Sequence, residues 1–391
     1  MIRICLHTAW SVPANFIGGT ERFLIELAKE LKILGFEPFV VCSNLQRELD
    51  IEGVEVRGRI PAEFQAQYRN TDPNIAAFMS GMVYNQEASK AAFQHISKYV
   101  YKQIEDVEAD LFHFNAFSAT LYLKTKVPQI VTNHENAREL DGFWHEGAFE
   151  TMRQLIRSDP DVFPSSPLLF TPSRFYSEEY SSAFSRQVQA NHLGVNLEKF
   201  LPIETRQKAD RHYTILLPSR FFPAQKGQDV ALRACRILRD RGHSNFSFLF
   251  TGVRDYYEDM VESFRQEARH LGIADAIRIK NFARMEDAFR EADIVISPER
   301  YCSYGLSVSE ALASGKALIL SKIPTYLEIA STYRHASFVA VDDAEGLANV
   351  LLHISAAQEK YPLDIIRFRL QNDFRDCAKR YANTYLQLLG V

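Results

Sequence analysis

The sequence predicts an α/β protein built as two doubly wound, Rossmann-like domains. Short apolar runs alternate with amphipathic helical stretches, the alternation halts at a polar segment near mid-chain and then begins again, and 391 residues exceed what one core usually serves. Right-handed crossovers make each sheet parallel, and ligands are then expected at the carboxyl ends of the strands, with the domains facing across a cleft.

The first strand is the run Ile2 to His7. Gly18 and Gly19 follow and precede a helix whose apolar positions Phe23, Leu24, Leu27, Leu31 and Leu34 recur at three and four; Gly35 stops it before a second strand at 38–42. Buried strands are expected at 111–114, 129–132 and 168–171. Residues 61–107 are irregular, then helical and rich in aromatic and amide side chains, and a core helix fits them better than an acceptor surface. Gly194 to Pro202 and the polar run 204–212 mark the boundary, giving a first domain at 1–200. A second domain at 201–372 has strands at 213–218, 246–252, 277–279 and 292–296, with helices at 229–241 and 257–271. In the last segment, 373–391, Phe374, Ala378, Tyr381, Tyr385 and Leu388 form one apolar helical stripe.

Composition narrows the function. With 46% apolar and 24% charged residues the chain is an ordinary globular protein, and a net charge of -4 argues against nucleic acid as its main partner. Five scattered cysteines show no metal-ligand spacing and read as reduced thiols. No apolar span approaches a membrane-crossing length of roughly 18 residues, and the N-terminus lacks the features of a secretory signal. The expected location is the cytoplasm, and peripheral contact with a membrane stays compatible with this.

Two segments carry the chemistry. The run Ser297-Pro298-Glu299-Arg300-Tyr301-Cys302-Ser303-Tyr304-Gly305-Leu306-Ser307-Val308-Ser309-Glu310 follows an apolar strand and enters a helix through small residues, which is where an α/β protein receives a phosphate. Upstream, Arg220 and Lys226 lie on the loop after the strand at 213–218, closed by Gly227. A guanidinium fork and a mobile ammonium suit a diphosphate, whereas a solvated basic loop is the plain alternative. Glu310 is expected in the first turn of its helix, where the dipole favours a carboxylate. Asp159-Pro160-Asp161 has the spacing of a metal-binding pair but sits ahead of a strand in a proline-rich loop and reads as a turn. No Gly-x-Gly-x-x-Gly follows the first strand, which removes the main support for a nicotinamide enzyme.

Together these segments resemble the donor-binding half of the retaining glycosyltransferases of the GT-B fold, family 4 (glycosyl transferases group 1), and the resemblance runs through nearly the whole chain. It implies a nucleotide-sugar donor, UDP-linked as the expected case, and transfer to an acceptor hydroxyl without cofactor or metal. It further implies that Arg220 and Lys226 stabilise the departing diphosphate and that Ser303, Tyr304, Gly305, Leu306 and Ser307 contact diphosphate and sugar. Glu310 would bind the ribose, Phe282 would lie against the base, and Gly18 and Gly19 would lie beneath the phosphates. His134, at the end of the 129–132 strand, matches the histidine that reaches the donor sugar. Glu135 and Arg138 are acceptor candidates, and the acceptor is a carbohydrate, a lipid-linked sugar or a small metabolite. The final helix resembles the one that crosses back onto the first domain.

One position departs from the family pattern. Cys302 stands where a glutamate, eight residues before Glu310, holds a hydroxyl of the transferred sugar, while Glu299 comes three residues too early. Either the sugar is held differently, or Glu299 reaches in from a changed loop, or activity is reduced. A buried structural thiol is the plainer reading of Cys302 itself. Two alternatives stand beside the transferase: a sugar-nucleotide epimerase or hydrolase with an added acid/base pair, and a non-catalytic GT-B binding or activating subunit.

Overall fold

The computed structural model describes residues 1–8, 19–44, 47–61, 89–136, 147–164, 166–203, 212–253, 258–357 and 362–391. The chain divides into two compact units, Met1–Leu193 with Phe374–Val391, and Gly194–Asp373.

The first unit is built on an eight-stranded sheet: β1 (Arg3–His7), β2 (Glu37–Cys42), β3 (Glu48–Ile51), β4 (Val54–Gly58), β5 (Leu111–Phe114), β6 (Gln129–Thr132), β7 (Leu168–Thr171) and β8 (Val188–Ala190). Their order is β3-β4-β2-β1-β5-β6-β7-β8. Every pairing is parallel except the β3–β4 hairpin at the edge. Leu6 of β1 lies opposite Val40 of β2 on one side and His113 of β5 on the other. The chain therefore works outward from β1 to one edge and returns to build the other half, which leaves a crevice at the carboxyl ends of β1 and β5.

The helix Gly19–Ile33 buries Phe23, Leu24, Leu27 and Leu31 as its spacing dictates, each worth roughly 1.5–3 kcal/mol against exposure. The helix Phe374–Leu389 lies against the same region, with Phe374 and Tyr381 ring centroids each 6.0 Å from that of Phe23. Its attachment is polar as well as apolar. Tyr385 Oη and Thr132 Oγ1 hydrogen-bond the two ring nitrogens of His113 at 2.6 and 2.7 Å, and Thr132 Oγ1 meets Tyr381 Oη at 2.9 Å. Close by, His7 Nε2 hydrogen-bonds Gln103 Oε1 at 3.0 Å, and the Gln103 amide donates to Ser43 Oγ and to the Arg59 carbonyl. Both imidazoles are fully buried and bonded, so each is held neutral.

The second unit has six strands: β9 (Tyr213–Leu217), β10 (Phe246–Phe250), β11 (Ile277–Ile279), β12 (Ile294–Ser297), β13 (Ala317–Ser321) and β14 (Ala336–Val339), in the order β11-β10-β9-β12-β13-β14 and parallel throughout. The central strands are buried on both faces, which is why β10 and β12 read as mostly apolar runs rather than strict alternations. The order reverses between β9 and β12. The helix Gln228–Asp240 covers one face through Ala231, Ala234, Cys235 and Leu238. It is preceded by the short helix Pro223–Lys226, and Gly227 joins the two with φ 71°. A β-carbon at Gly227 would lie 2.1 Å from the Pro298 carbonyl oxygen, so the backbones of the β9 and β12 loops touch there because no side chain intervenes.

Burial pushes His7 down to about 4 and His113 down to about 3, against an ordinary value of 6.5. The unfolded chain then takes up protons that the folded one refuses. Stability should be complete above the unfolded value and fall from pH 6.5 toward pH 4, approaching about 1.4 kcal/mol per pH unit for each histidine. Urea unfolding followed through the first unit across that window would measure it, and a flat profile would contradict two neutral imidazoles. Gly227→Ala should destabilise the second unit by about 2–4 kcal/mol, combining left-handed strain with overpacking against Pro298. A denaturation midpoint equal to that of the wild type would show that the two loops do not meet there.

Candidate functional site

The loops leaving β9 and β12 emerge side by side at the point where strand order reverses. From the β9 side come Arg220 and Lys226, and from the β12 side Glu299, Cys302 and Gly305. Lys226 Nζ donates to Glu299 Oε2 at 2.7 Å, with the lysine side chain 13% exposed and the glutamate 2%. Burial works against the ammonium, but the facing Glu299 carboxylate, helped by the nearby Cys302 sulfur, outweighs both burial and the repulsion of Arg220, so the amine is held above the ordinary lysine value. Arg220 lies within electrostatic reach of Lys226, donates to Gln225 Oε1 at 2.7 Å, and has its guanidinium carbon 5.8 Å from the Phe222 ring centroid. Two cations thus stand beside each other at the carboxyl edge of the sheet.

The β12 loop is stitched to the β9 loop. Arg300 donates its amide to the Gln225 carbonyl at 2.9 Å, and its guanidinium to the Pro223 carbonyl at 2.7 Å and to both carboxylate oxygens of Asp229 at 3.1 and 2.8 Å. A second ion pair joins Arg300 to Asp342 at 2.6 Å. Thr325 Oγ1 donates to the Cys302 carbonyl at 3.0 Å. Ser297 Oγ lies 3.3 Å from Glu299 Oε1 and 2.8 Å from Tyr326 Oη. Arg300, Gln225, Asp229, Thr325 and Tyr326 therefore fix the site, and sequence reasoning missed them. The one available signal was an arginine between two candidate site residues, and its partner is remote in sequence.

Gly305 has φ 104° and caps the helix Leu306–Ala313; a β-carbon there would come 2.6 Å from the Tyr326 ring. The helix starts at Leu306, so the amides of Leu306 and Ser307 find no carbonyl one turn back within it and point along the positive end of its dipole. Ser303, Leu306 and Ser307 are partly exposed, whereas Tyr304 is buried. Glu310 departs from expectation. Because the left-handed glycine starts the helix at Leu306, the first turn holds no acid, and Glu310 lies in the second turn at 3% exposure, on the buried face. Dipole stabilisation at the first turn does not explain it. Phe282, half-buried, follows β11 and packs under the Lys280 ammonium at 4.3 Å from its ring centroid. Cys302 is partly exposed rather than fully buried.

In the first unit, Gly19 opens its helix, while Gly18 and Arg138 lie outside the described residues. His134 follows β6 and its Nε2 hydrogen-bonds Asn115 Oδ1 at 3.0 Å; the Asn115 amide in turn donates to the carbonyls of His7 and His113. One asparagine thus ties together the ends of β1, β5 and β6, and nothing in its local sequence announces it. The Phe23 ring packs 4.9 Å from that of His134, and the surrounding protein pushes His134 down to about 3, so the ring is a neutral hydrogen-bonding group. Glu135 accepts a weak bond from Ser118 Oγ at 3.4 Å. Asp159 ends the helix Ala148–Ser158, accepts the Asp161 amide, and pairs with Lys90 and Tyr122, which makes this segment a turn. Among the described residues no cluster of ligand types suits a metal ion, and no helix is long and apolar enough to cross a membrane.

Known proteins place this geometry in context. Residues 203–366 match the model for "Glycosyl transferases group 1" and residues 17–199 that for "Glycosyltransferase Family 4". The amylovoran biosynthesis glycosyltransferase AmsK of Erwinia amylovora is 25% identical over 214 residues, covering 51% of this chain and 50% of the relative. This chain therefore aligns with about half the length of that relative. Mannosylfructose-phosphate synthase of Agrobacterium fabrum is 19% identical over 359 residues, covering 86% of this chain and 78% of the relative. Among solved structures, sucrose-phosphate synthase of Thermosynechococcus elongatus superposes with a TM-score of 0.76 at 16% identity over the whole of both chains. Anabaena HepE, solved in complex with UDP-glucose, gives 0.69 at 13% identity over 98% of this chain and 99% of that one. Family models that meet end to end across both units, on two parallel sheets, settle the assignment: this chain belongs to glycosyltransferase family 4 and is a glycosyltransferase of the GT-B type.

Proposed function

We propose that the chain is a retaining transferase that moves a sugar from a UDP-linked donor, held by the second unit, to an acceptor hydroxyl held by the first. The observation that carries this reading is the pair Arg220 and Lys226 at the carboxyl end of β9, beside the start of the Leu306–Ala313 helix. A sugar nucleotide leaves as a diphosphate, and charge builds on its oxygens as the anomeric bond breaks. Fixed cations and helix-terminal amides stabilise that charge without reorganising during the step. That Anabaena HepE was solved with UDP-glucose supports a uridine donor.

In this reading the Lys226 ammonium contacts a phosphate oxygen, and Arg220, oriented by Gln225, forks onto the same group. Glu310 accepts from the ribose hydroxyls. His134, neutral and oriented by Asn115, hydrogen-bonds the transferred sugar. The acceptor oxygen attacks from the face that the diphosphate leaves, so the leaving phosphate takes the acceptor proton and the anomeric configuration is kept. No protein nucleophile is needed. Glu135 and Arg138 serve the acceptor, which is a carbohydrate, a lipid-linked sugar or a small metabolite.

Nucleoside diphosphates and their sugars should raise the melting temperature, UDP and UDP-sugars most, by on the order of 5 °C at about a hundredfold excess over Kd. Lys226→Ala should abolish that shift. An undiminished shift in the variant would exclude the phosphate contact, and a wild-type chain indifferent to every nucleoside diphosphate would contradict the donor assignment.

A further inference from the structure

Glu299 has no role in the reading above, yet it is the most buried charged group at the site. Its carboxylate accepts Lys226 Nζ on one oxygen at 2.7 Å and lies 3.3 Å from Ser297 Oγ on the other, and Ser297 continues to Tyr326. The exposures of the pair are unequal: 13% for the lysine side chain against 2% for the glutamate. The cation is the member that reaches the surface, and the anion stands behind it. Ion pairs buried this deeply are no more stabilising than apolar residues of the same volume, so fold stability alone gives no reason for one at a strand end. What the pair does provide is a fixed ammonium. Without a counter-charge, a buried amine beside Arg220 loses its proton readily.

We propose that Glu299 is the positioning residue of the donor site, holding the Lys226 ammonium from behind so that it faces a diphosphate. This rests on the donor reading above. The loop explains how a residue three positions early reaches the site. Arg300 is drawn to Pro223 and Asp229, and the Cys302 carbonyl is held by Thr325, so Glu299 and Cys302 both lie within electrostatic range of Lys226. The groups facing the amine are Arg220 from the β9 loop and Glu299 and Cys302 from the β12 loop, with the Tyr326 phenol, on the helix after β13, next to those two. A thiol in place of an acid at 302 avoids a second negative charge beside the incoming phosphates.

The test uses the full chain labelled at lysine ε-nitrogen, with the Lys226 signal identified by its loss in Lys226→Arg and followed from about pH 8 to about pH 12. Glu299→Gln should move its ionisation to lower pH, and adding Cys302→Glu should move it back. An unchanged ionisation in Glu299→Gln overturns the proposal; if that variant does not fold, Glu299→Asp should displace the signal in the same direction by less. In parallel, UDP affinity in Glu299→Gln should fall about tenfold at alkaline pH where the wild type still binds. Lys226→Arg in that background should remove the fall, because a guanidinium keeps its proton. UDP binding that shows no Glu299-dependent alkaline limb overturns this inference alone. Absence of any nucleoside diphosphate binding by the wild type overturns the donor reading and the purpose assigned to the pair, even if the nitrogen titration shows the coupling.

Discussion

Reversal of strand order between β9 and β12 is the constraint on which the second unit depends. Chains leaving two adjacent parallel strands in opposite directions cannot cover the gap between them, so their loops must seal it from the sides. Here they do so at Gly227, whose missing side chain lets the Pro298 carbonyl approach, and through Arg300, which holds the Pro223 carbonyl and Asp229. The result is a rigid rim bearing Arg220 and Lys226, with a helix start beside it. Rigid donors placed before a charge develops are what phosphate departure requires.

Polar groups inside both units are organised by the same economy. His113 anchors the C-terminal helix through Tyr385 while bonding Thr132, and Asn115 gathers the ends of three strands while orienting His134. His113 and Asn115 each fix more than one element at once. In the second unit the Lys226–Glu299 pair links the two loops that line the rim.

Much of the fold was legible because parallel sheets buried on both faces write themselves as short apolar runs. β1, β5, β6, β7, β10 and β12 stand where such runs occur. The β3–β4 hairpin was not legible, since Glu48–Ile51 is only four residues long, half of them acidic, and its turn uses Glu52 and Gly53 at positive φ. β14 was equally silent, as an edge strand only partly buried. At the site, the placement of Arg220, Lys226 and Gly305 followed from strand ends and glycines, which are local signals. The contacts of Glu299, Arg300, Asn115 and Tyr326 were not legible, because each acts through a partner that is remote in sequence or through backbone atoms that carry no sequence identity. The first-turn placement of Glu310 failed for a local reason: the helix begins at Leu306, directly after its left-handed cap, which puts position 310 past the first turn.

The central claim is that the second unit receives a diphosphate on Lys226 and the amides of Leu306 and Ser307. A crystal structure with UDP or a non-transferable UDP-sugar bound is the most direct measurement of it. The account predicts phosphate oxygens about 3 Å from Lys226 Nζ and from at least one of those amides, with Glu299 still behind the lysine. A diphosphate bound elsewhere, or Lys226 turned away from it, would contradict the account.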